Sequence, residues 1–286
     1  MKTYDCFTFF NELDVLELRL EEMWDVTDYF VIAESNLSHS GKPKNYILLD
    51  NWDRFKKYHS KIRRIQVDDM PETKDSWVRE KFQRWALGRG LHDKSPEDII
   101  IISDLDEIPR ADAVAMIKED ENDYDKYVLT IPMFQYKINN MKIFERSKQR
   151  NIMVTRGRAF THAQQEREFT FPWVPDAPNT VYVDHGGWHF TYFGDDQNAI
   201  VKLQNFAHTE SDRPDLISKH NIEWMVANKY GHHGPNHIER YEIVVVDDYF
   251  PKSIVDNIDK WTAKNMIAPN AVFHVTDLYR EEEEEK

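Results

Sequence analysis

The sequence predicts an α/β protein in which a Rossmann-like, mostly parallel sheet is flanked by helices in a single domain. Short β-prone runs alternate with amphipathic stretches in the first third of the chain, as expected for strands joined by crossover helices. The run Ile99–Ile102 is continuously apolar, which is typical of a strand buried on both faces. Hydrophobic residues make up 41% of the 286 residues, enough to fill a large core.

The elements of the first half follow from composition and spacing. Asn11 offers an N-cap for a helix whose apolar residues recur at helical spacing as far as Met23. A second helix is predicted over Trp77–Leu91. Its apolar side is formed by Val78, Phe82, Trp85 and Leu87. Strands rich in aromatic and β-branched residues are predicted at Tyr4–Phe10, Asp28–Glu34, Ile62–Val67 and Ile99–Ile102.

The second half is less regular. Asn198–Phe206 is predicted to be helical, and the proline-containing segment Phe171–Pro178 to be a loop. Strands are predicted at Tyr127–Met133, Val181–Val183, Trp188–Phe193 and Val244–Val246. We expect one domain over residues 1–275, with a nucleotide-binding half to about residue 125 and a second half over about 126–275. The acidic tail, residues 276–286, is expected to be disordered.

Charge and cysteine content restrict the class of protein. Lys plus Arg total 37 and Asp plus Glu total 51, so the formal net charge is −14. Nucleic acid is therefore not expected as a partner, because its phosphates need a basic face. The single cysteine, Cys6, cannot form an intramolecular disulfide. The first ten residues lack a signal-peptide pattern, and no apolar run approaches the roughly 20 residues of a transmembrane helix. These features predict a soluble, cytoplasmic protein.

The most informative stretch follows the four isoleucines. Asp104, Asp106 and Glu107 come directly after this strand, and Pro109 is expected to end further strand pairing. In extended backbone, residues i and i+2 point to the same side, so Asp104 and Asp106 are expected to converge. Adjacent carboxylates repel each other unless a cation lies between them. Mn²⁺ or Mg²⁺ prefers such oxygen ligands and commonly shares substrate phosphates. We therefore favour a metal site over an acidic turn that only caps the next helix.

These residues are also the strongest sign of a family. Asp-x-Asp after a buried strand resembles the metal and nucleotide-sugar motif of GT-A glycosyltransferases, and the string Asp104-Leu-Asp-Glu-Ile-Pro109 resembles glycosyltransferase family 17. Three further segments agree in the same order along the chain, from about residue 4 to about residue 208. They are Asn11–Arg19, then Tyr29–Asn36 with Gly41-Lys-Pro43, and Gly187-Trp-His189 followed by Lys202-Leu203.

The resemblance implies a GT-A fold and transfer from a UDP-sugar to a glycan or other hydroxyl acceptor, with inversion and with Mn²⁺ or Mg²⁺. N-acetylglucosamine is the first expected sugar, and glucose, galactose or a uronic acid would fit the same donor half. Animal members of the family are anchored in the Golgi and contain more cysteines. The acceptor therefore stays open among N-glycans, bacterial or viral glycans and lipid-linked glycans.

The resemblance also implies roles for individual residues. Asp106 is expected to bind the metal, and Asp104 to contact the ribose or the metal, so the two form the expected catalytic pair. His189 is expected to complete the metal site, with His185 and His208 as rivals. Other residues are expected to stack on the base, accept the uracil N–H or neutralise donor oxygens, although core, capping or surface roles would also suit them. These donor-site candidates are Phe9, Asn11, Glu34, Arg79, Arg84 and Lys202.

The catalytic base and the function class leave alternatives. The candidate bases are Asp176, Asp184, Asp195 and Asp196. The aromatic residues from Trp173 to Tyr192 would suit a sugar acceptor, although most are expected in the core. A sugar nucleotidyltransferase could share the same sheet, but it would usually have a Gly-rich basic loop that Phe9–Glu12 lacks. The eight tryptophans also suit a non-catalytic carbohydrate-binding protein.

Overall fold

The computed structural model describes residues 1–122, 124–143, 149–169, 178–193, 219–230 and 240–278. The predicted alternation of strands and helices is present there. The strands are β1 Thr3–Phe9, β2 Tyr29–Ser35, β3 Ile62–Val67, β4 Ile99–Ile102, β5 Glu107–Pro109, β6 Lys126–Ile131, β7 Met133–Gln135, β8 Asn140–Lys142, β9 Gln149–Arg156, β10 Thr180–Val183, β11 Gly187–Thr191 and β12 Tyr241–Ile243. The helices are α1 Leu13–Met23, α2 Ile47–Asp50, α3 Ser76–Trp85, α4 Ala111–Glu119, α5 Ala163–Phe169, α6 Lys219–Ala227, α7 Lys252–Val255 and α8 Ile258–Ala263, with 3₁₀ turns at Trp52–Tyr58 and Ala86–Gly90.

Seven strands form the central sheet, in the order β10-β6-β9-β4-β1-β2-β3. Strands β1 to β4 pair in parallel, as do β6 and β10, whereas β9 runs antiparallel to both of its neighbours. The predicted fold class, a mostly parallel sheet flanked by helices and compatible with a GT-A-like domain, is confirmed. The parallel strands all end at one edge, and this carboxyl edge is where such sheets bind ligands.

A second sheet lies beyond that edge, in the order β12-β8-β7-β11-β5. Its end strand, β5, begins at Glu107, five residues after the last residue of β4. β5 pairs antiparallel with β11, and β11 pairs in parallel with β7. The second sheet therefore joins the stretch after β4 to the C-terminal half of the chain.

The buried core confirms that β4 is covered on both faces. Ile99 and Ile101 pack into one hydrophobic cluster, whereas Ile100 and Ile102 pack into another on the opposite side. All four isoleucines are fully buried. A continuous apolar run was the signal for this arrangement, because a strand with one exposed face would alternate.

The helix predicted over Trp77–Leu91 is shorter, and only part of its predicted apolar side faces the core. Helix α3 ends at Trp85, and the remaining residues form a 3₁₀ turn. Val78 and Trp85, predicted to face the core, are 41% and 48% exposed. The buried residues of α3 are instead Arg79, Glu80, Gln83 and Arg84. Leu87 is fully buried and Phe82 packs against the core, as predicted. The prediction was wrong for Val78 and Trp85, because this helix packs on the polar carboxyl edge, where partners for charged groups outweigh hydropathy.

Other boundaries also differ from the prediction. Glu12, not Asn11, takes the N-cap position of α1, and it makes no capping side-chain hydrogen bond. Pro109 does not end strand pairing, because it lies opposite Gly187 in the antiparallel β5–β11 pair. A proline can occupy an edge strand, where its missing N–H leaves no donor unpaired.

The later elements agree less closely with the sequence. The strand predicted at Tyr127–Met133 is divided at Pro132 into β6 and β7. The strand predicted at Val244–Val246 lies earlier, in β12, and Val244 makes only an isolated bridge to Phe273. Asn198–Phe206 and all but the last residue of the predicted 171–178 loop lie outside the described residues. Within the described part of the chain, no helix has both the length and the apolar character needed to cross a bilayer.

Candidate active site at the carboxyl edge of the sheet

The carboxylates after β4 lie on a tight turn rather than on the extended backbone that the sequence suggested. Leu105 and Asp106 form the turn, and Glu107 starts β5. The Asp104 N–H donates to Glu107 Oε2 at 2.8 Å, and the Glu107 N–H donates back to the Asp104 carbonyl oxygen at 3.1 Å. This reciprocal pair closes the turn, so Asp104 and Asp106 take different partners.

Asp104 faces two guanidinium groups. Arg84 of α3 donates to its Oδ1 at 2.9 Å, and Arg167 of α5 donates to its Oδ2 at 3.0 Å. The Asp104 side chain is 28% exposed, so it remains open to a ligand beside its two arginines.

Glu107 stabilises the turn through buried hydrogen bonds. Its carboxylate forms a bidentate pair with Arg167, with both N···O distances 2.8 Å, and the residue is buried. Burial raises the pKa of Glu107, while the Arg167 guanidinium acts in the opposite direction. Arg167 was not identified from the sequence, because an arginine in a helix has no local signal that marks a distant carboxylate as its partner.

Asp106 lies beside His189. Strands β5 and β11 pair in a register that places His189 opposite Glu107, next to the turn. His189 Nε2 is 3.7 Å from Asp106 Oδ1, and the imidazole is 13% exposed. The Phe190 N–H also donates to the Asp106 carbonyl oxygen at 2.8 Å. The structure therefore brings together two of the three residues that the sequence proposed as metal ligands, and Asp104 faces arginines instead.

Gly187 allows this approach. A Cβ at this position would overlap the carbonyl oxygen of Ile108 on the facing strand. Only a glycine lets β11 lie this close to β5.

The rival histidines have different positions. His185 Nδ1 lies 3.1 Å from the hydroxyl of Tyr249, beside Arg110. His208 lies outside the described residues. Among the described residues, no three His, Cys, Asp or Glu side chains form a group that could hold a metal ion by themselves. Asp106 and His189 are the pair of candidate ligands that lie together in the described part of the chain.

Arg19 holds the carboxylate turn by buried hydrogen bonds. It was not identified as a functional residue from the sequence. It is fully buried on α1 and forms a bidentate pair with buried Asp5, with N···O distances of 2.9 and 2.6 Å. Its Nη1 donates to three carbonyl oxygens of the turn, at 2.7, 3.2 and 3.0 Å, and its Nη2 donates to Ser103 Oγ at 2.8 Å. The three acceptors are the carbonyls of Asp104, Leu105 and Glu107. With the carbonyls of the turn held inward, the Asp104 side chain remains partly exposed, whereas Asp106 is buried beside His189.

A sequence signal for Arg19 did exist. It lies between Leu16 and Leu20 on the apolar face of a helix, where an exposed arginine would be out of place. A charged residue at such a position must find a buried partner. The sequence alone did not show that the partner would be Asp5 together with the carboxylate turn.

The residues expected at the uridine end are engaged in structural contacts. Glu34 accepts from Lys44 Nζ at 3.1 Å and from the Leu48 N–H at 3.2 Å, and burial raises its pKa against the opposing effect of Lys44. It thus caps α2, the alternative considered for it. Phe9 is buried in the core, whereas Phe10 is partly exposed and lies under Lys44. A base at this end would meet Phe10 rather than Phe9.

The remaining candidates lie apart or outside the described residues. Arg79 donates to the carbonyl oxygens of His39 and Thr73, so it holds the adjoining loop and not the carboxylates. Asn11 is partly exposed where β1 leads into α1. Asp184 is exposed after β10 and accepts from Thr130 Oγ1 at 2.8 Å. The candidates outside the described residues are Asp176, Asp195, Asp196 and Lys202.

Comparisons with known proteins identify the family. A model of glycosyltransferase family 17 matches residues 1–231. The chain is 33% identical over 117 residues to the beta-1,4-mannosyl-glycoprotein 4-beta-N-acetylglucosaminyltransferases of Homo sapiens and Rattus norvegicus. The match spans 38% of this chain and only 22% of each relative.

Solved structures are similar only at a distance. TarS of S. aureus, residues 1–349, aligns with a TM-score of 0.38 and 12% identity over 79% of this chain and 72% of its own. The inositol-1-phosphate CTP transferase of T. maritima aligns with a TM-score of 0.33 and 9% identity over 64% of this chain and 84% of its own. Likeness at this level supports no inference about function.

Proposed function

Because the chain belongs to glycosyltransferase family 17, we propose that it transfers a sugar from a UDP-sugar to a glycan or other hydroxyl acceptor, with inversion. The single observation that supports this most directly is the juxtaposition of Asp106 and His189 at the carboxyl edge of a parallel sheet. N-acetylglucosamine is the first donor sugar to test, since the relatives are named as N-acetylglucosaminyltransferases. Glucose, galactose and a uronic acid are the next.

A divalent metal ion is part of the proposal, and the residues present fit it. A carboxylate oxygen and an imidazole nitrogen are ligands that suit Mn²⁺. Ions of this class commonly take their remaining ligands from water and substrate phosphates, so the pair Asp106 and His189 provides enough protein ligands. When bound, the metal would neutralise the charge that develops on the leaving diphosphate.

Asp104 has a different part in this proposal. Its two carboxylate oxygens already face Arg84 and Arg167, so it is oriented toward the donor as a hydrogen-bond acceptor and not as a metal ligand. The planar forks of the two arginines place charged N–H groups at the same edge. The sugar-nucleotide ribose and diphosphate oxygens are the groups that this arrangement suits.

The reaction is a direct displacement at the anomeric carbon. The acceptor oxygen forms the new bond, the bond to the diphosphate oxygen breaks, and a carboxylate removes the acceptor proton. Asp184 is the one proposed base candidate among the described residues, and it lies on the carboxyl edge after β10. Asp176, Asp195 and Asp196 stay equal candidates.

The proposal is tested by incubating the chain with a panel of UDP-sugars and Mn²⁺ and following UDP release. We expect release with at least one donor, loss of release with EDTA, and a large loss in Asp106→Asn and His189→Ala. Asp112→Asn is the matched control, because Asp112 is an exposed aspartate at the start of α4, and it should retain activity. Release that persists in Asp106→Asn would contradict the metal assignment.

The alternatives give different products in the same assay format. A sugar nucleotidyltransferase would release pyrophosphate from UTP and a sugar 1-phosphate. A carbohydrate-binding protein would bind sugar without metal and show no affinity for UDP. Either result, together with no UDP release from any donor, would replace the transferase proposal.

A further inference from the structure

A cluster of aromatic residues lies beyond the proposed metal-ligand pair, where strands β7 and β11 of the second sheet end and α6 packs. Two stacked pairs make up this surface, which we call the aromatic platform: Tyr136 with Tyr192, and Trp224 with Tyr230. Their ring centroids are 5.8 and 5.7 Å apart, with interplanar angles of 28° and 22°. Met225 is buried between the two pairs.

The platform is continuous with the strand that contains His189. Strand β11 ends at Thr191, so Tyr192 follows His189 by three residues, a chain distance of about 10 Å at most. Strand β7 runs parallel beside it and ends at Gln135, and the Tyr136 N–H donates to the Thr191 carbonyl oxygen at 3.1 Å. The first tyrosine pair therefore continues two neighbouring strands just past the proposed metal ligand.

The backbone at both tyrosines is strained. Tyr136 has a φ of 65° and Tyr192 a φ of 54°, in the left-handed region that bulky residues rarely adopt. Glycine would adopt this conformation without strain. Strained backbone tends to occur at functional sites, where the surrounding structure holds it in place. Here the left-handed backbone occurs at the two tyrosines whose rings stack where two strands end.

The second pair provides the exposed face. Trp224, in α6, is 42% exposed although it stacks on Tyr230, and Tyr192 and Tyr230 are only partly buried. Arg240 adds an exposed guanidinium 5.2 Å from the Tyr230 ring centroid. Flat, partly exposed rings bordered by a hydrogen-bond donor suit the C–H face and hydroxyl rim of a pyranose. An ordinary apolar docking surface has no need of the polar border.

We infer that the aromatic platform binds a sugar ring of the acceptor, with Tyr192 nearest the reacting centre and Trp224 farther along the glycan. This inference rests on the proposed function, because it is the transfer reaction that requires an acceptor beside the donor site. It assigns the acceptor to the carbohydrate class and places it on the β7–β11 side of the carboxylate turn.

The kinetic test compares Tyr192→Ala and Trp224→Ala with the wild type, using methyl glycosides and short oligosaccharides as acceptors. We expect the KM for the acceptor to rise about tenfold or more, while the KM for the donor changes less than about twofold. Tyr192→Phe and Trp224→Phe keep a ring and should stay near the wild-type KM. Trp85→Ala removes an equally exposed tryptophan on α3 and is the matched control.

A binding test separates this inference from the proposed function. The purified chain is applied to a glycan array without donor or metal, and Trp224→Ala is run beside it. Glycan binding by the wild type that is lost in Trp224→Ala supports the platform even if no UDP-sugar is turned over. An unchanged acceptor KM in both alanine variants overturns the inference. So does wild-type array binding that survives Trp224→Ala, or, in the absence of turnover, no binding to any glycan.

Discussion

At the scale of single residues, the shape of the carboxylate turn depends on Arg19. Its five donors all point to acceptors that are either Asp5, Ser103 or carbonyls of the turn. A buried arginine can do this because its planar fork matches several oxygens at once, and lysine cannot reproduce that geometry. Arg19 is a positioning residue, since it acts through the turn and not on the substrate.

We predict that Arg19→Met lowers the free energy of unfolding by about 3–5 kcal/mol, because it leaves the Asp5 carboxylate buried and without its cation. Arg19→Lys keeps the charge, so it should lose less stability but should still weaken Mn²⁺-dependent UDP binding. Urea denaturation and UDP titration measure the two effects separately.

The double variant Asp5→Leu/Arg19→Met is the control for this prediction. Because it removes both charges, it should recover much of the stability lost in Arg19→Met while the UDP affinity stays low. Recovery of stability and UDP affinity together would show that the arginine has no positioning role.

His39, near the same site, makes the stability of the protein depend on pH. Its Nε2 lies 2.9 Å from Gln83 Oε1, and burial lowers the pKa of His39 while Glu80 opposes that shift. Arg84 and Asp104 are the other charged groups that act on it. Below its unfolded pKa of about 6.5, the unfolded chain binds a proton that the folded chain resists, so stability is lost as the pH falls.

We therefore predict that His39 lowers the free energy of unfolding by at most about 2 kcal/mol between pH 6.5 and pH 5. This contribution should be absent in His39→Gln. Urea denaturation at pH 7, 6 and 5 measures it as the difference between the two proteins. His92→Gln, which changes an exposed histidine, should keep the wild-type profile. An identical profile in His39→Gln would contradict this assignment.

At the scale of elements, helix α3 reverses the usual relation between hydropathy and burial. Gln83 is buried and donates to the carbonyl oxygen of Ala33 at 2.9 Å, whereas Val78 is 41% exposed. We predict that Gln83→Leu lowers the free energy of unfolding by about 1–3 kcal/mol, because it leaves buried polar groups without their partner. Val78→Gln should change it by less than about 0.5 kcal/mol.

Thermal or urea unfolding of the two variants decides between the two orientations of α3. If the helix faced inward as its hydropathy suggested, Val78→Gln would be the damaging change and Gln83→Leu would be tolerated. The two substitutions exchange similar volumes, so the comparison reflects polarity and burial.

The β5–β11 pair is the element on which the Asp106–His189 contact depends. We predict that Gly187→Ala lowers the free energy of unfolding by about 1–3 kcal/mol, because the added methyl group overlaps the facing Ile108 carbonyl. It should also weaken Mn²⁺-dependent UDP binding as the strands separate. Gly88→Ala is the matched control, since a Cβ there meets nothing within 4 Å. Equal behaviour of the two alanine variants would contradict the role given to this strand contact.

The elements also show how far sequence reasoning reached. Continuous or β-branched apolar runs identified β1 to β4 with errors of one residue at most, because burial on both faces is a property of the run itself. The later strands were less accurate, since their pairing is decided by contacts between distant segments such as β5 with β11. The burial of the polar residues of α3 was not predicted, because their partners are distant in sequence.

The site was predictable in part for the same reason. Asp104 and Asp106 stand out because they follow a buried strand, and His189 follows a pair of glycines. Arg167 and Arg19 contact the carboxylate turn from two separate helices. No sequence pattern near them indicates which residues they pair with. Glu34 and Phe9 were placed in the donor pocket by resemblance, whereas the structure gives them capping and core contacts.

At the scale of the whole molecule, part of the chain's excess negative charge can be placed in the structure. The net charge of −14 includes three carboxylates on one turn, and two of these, Asp104 and Glu107, are neutralised by arginines within the protein. The third carboxylate, Asp106, lies 3.7 Å from the His189 imidazole of the second sheet. In the proposed reaction Asp106 therefore holds the cation and Asp104 orients the donor.

The proposal that Asp106 and His189 hold a metal ion for the UDP-sugar is tested by titrating UDP into the chain by calorimetry, with Mn²⁺ and with EDTA. We expect UDP binding that requires Mn²⁺. It should be lost in Asp106→Asn, strongly weakened in His189→Ala and retained in Asp112→Asn. UDP binding that is equally strong in EDTA, or equally strong in Asp106→Asn, would contradict it.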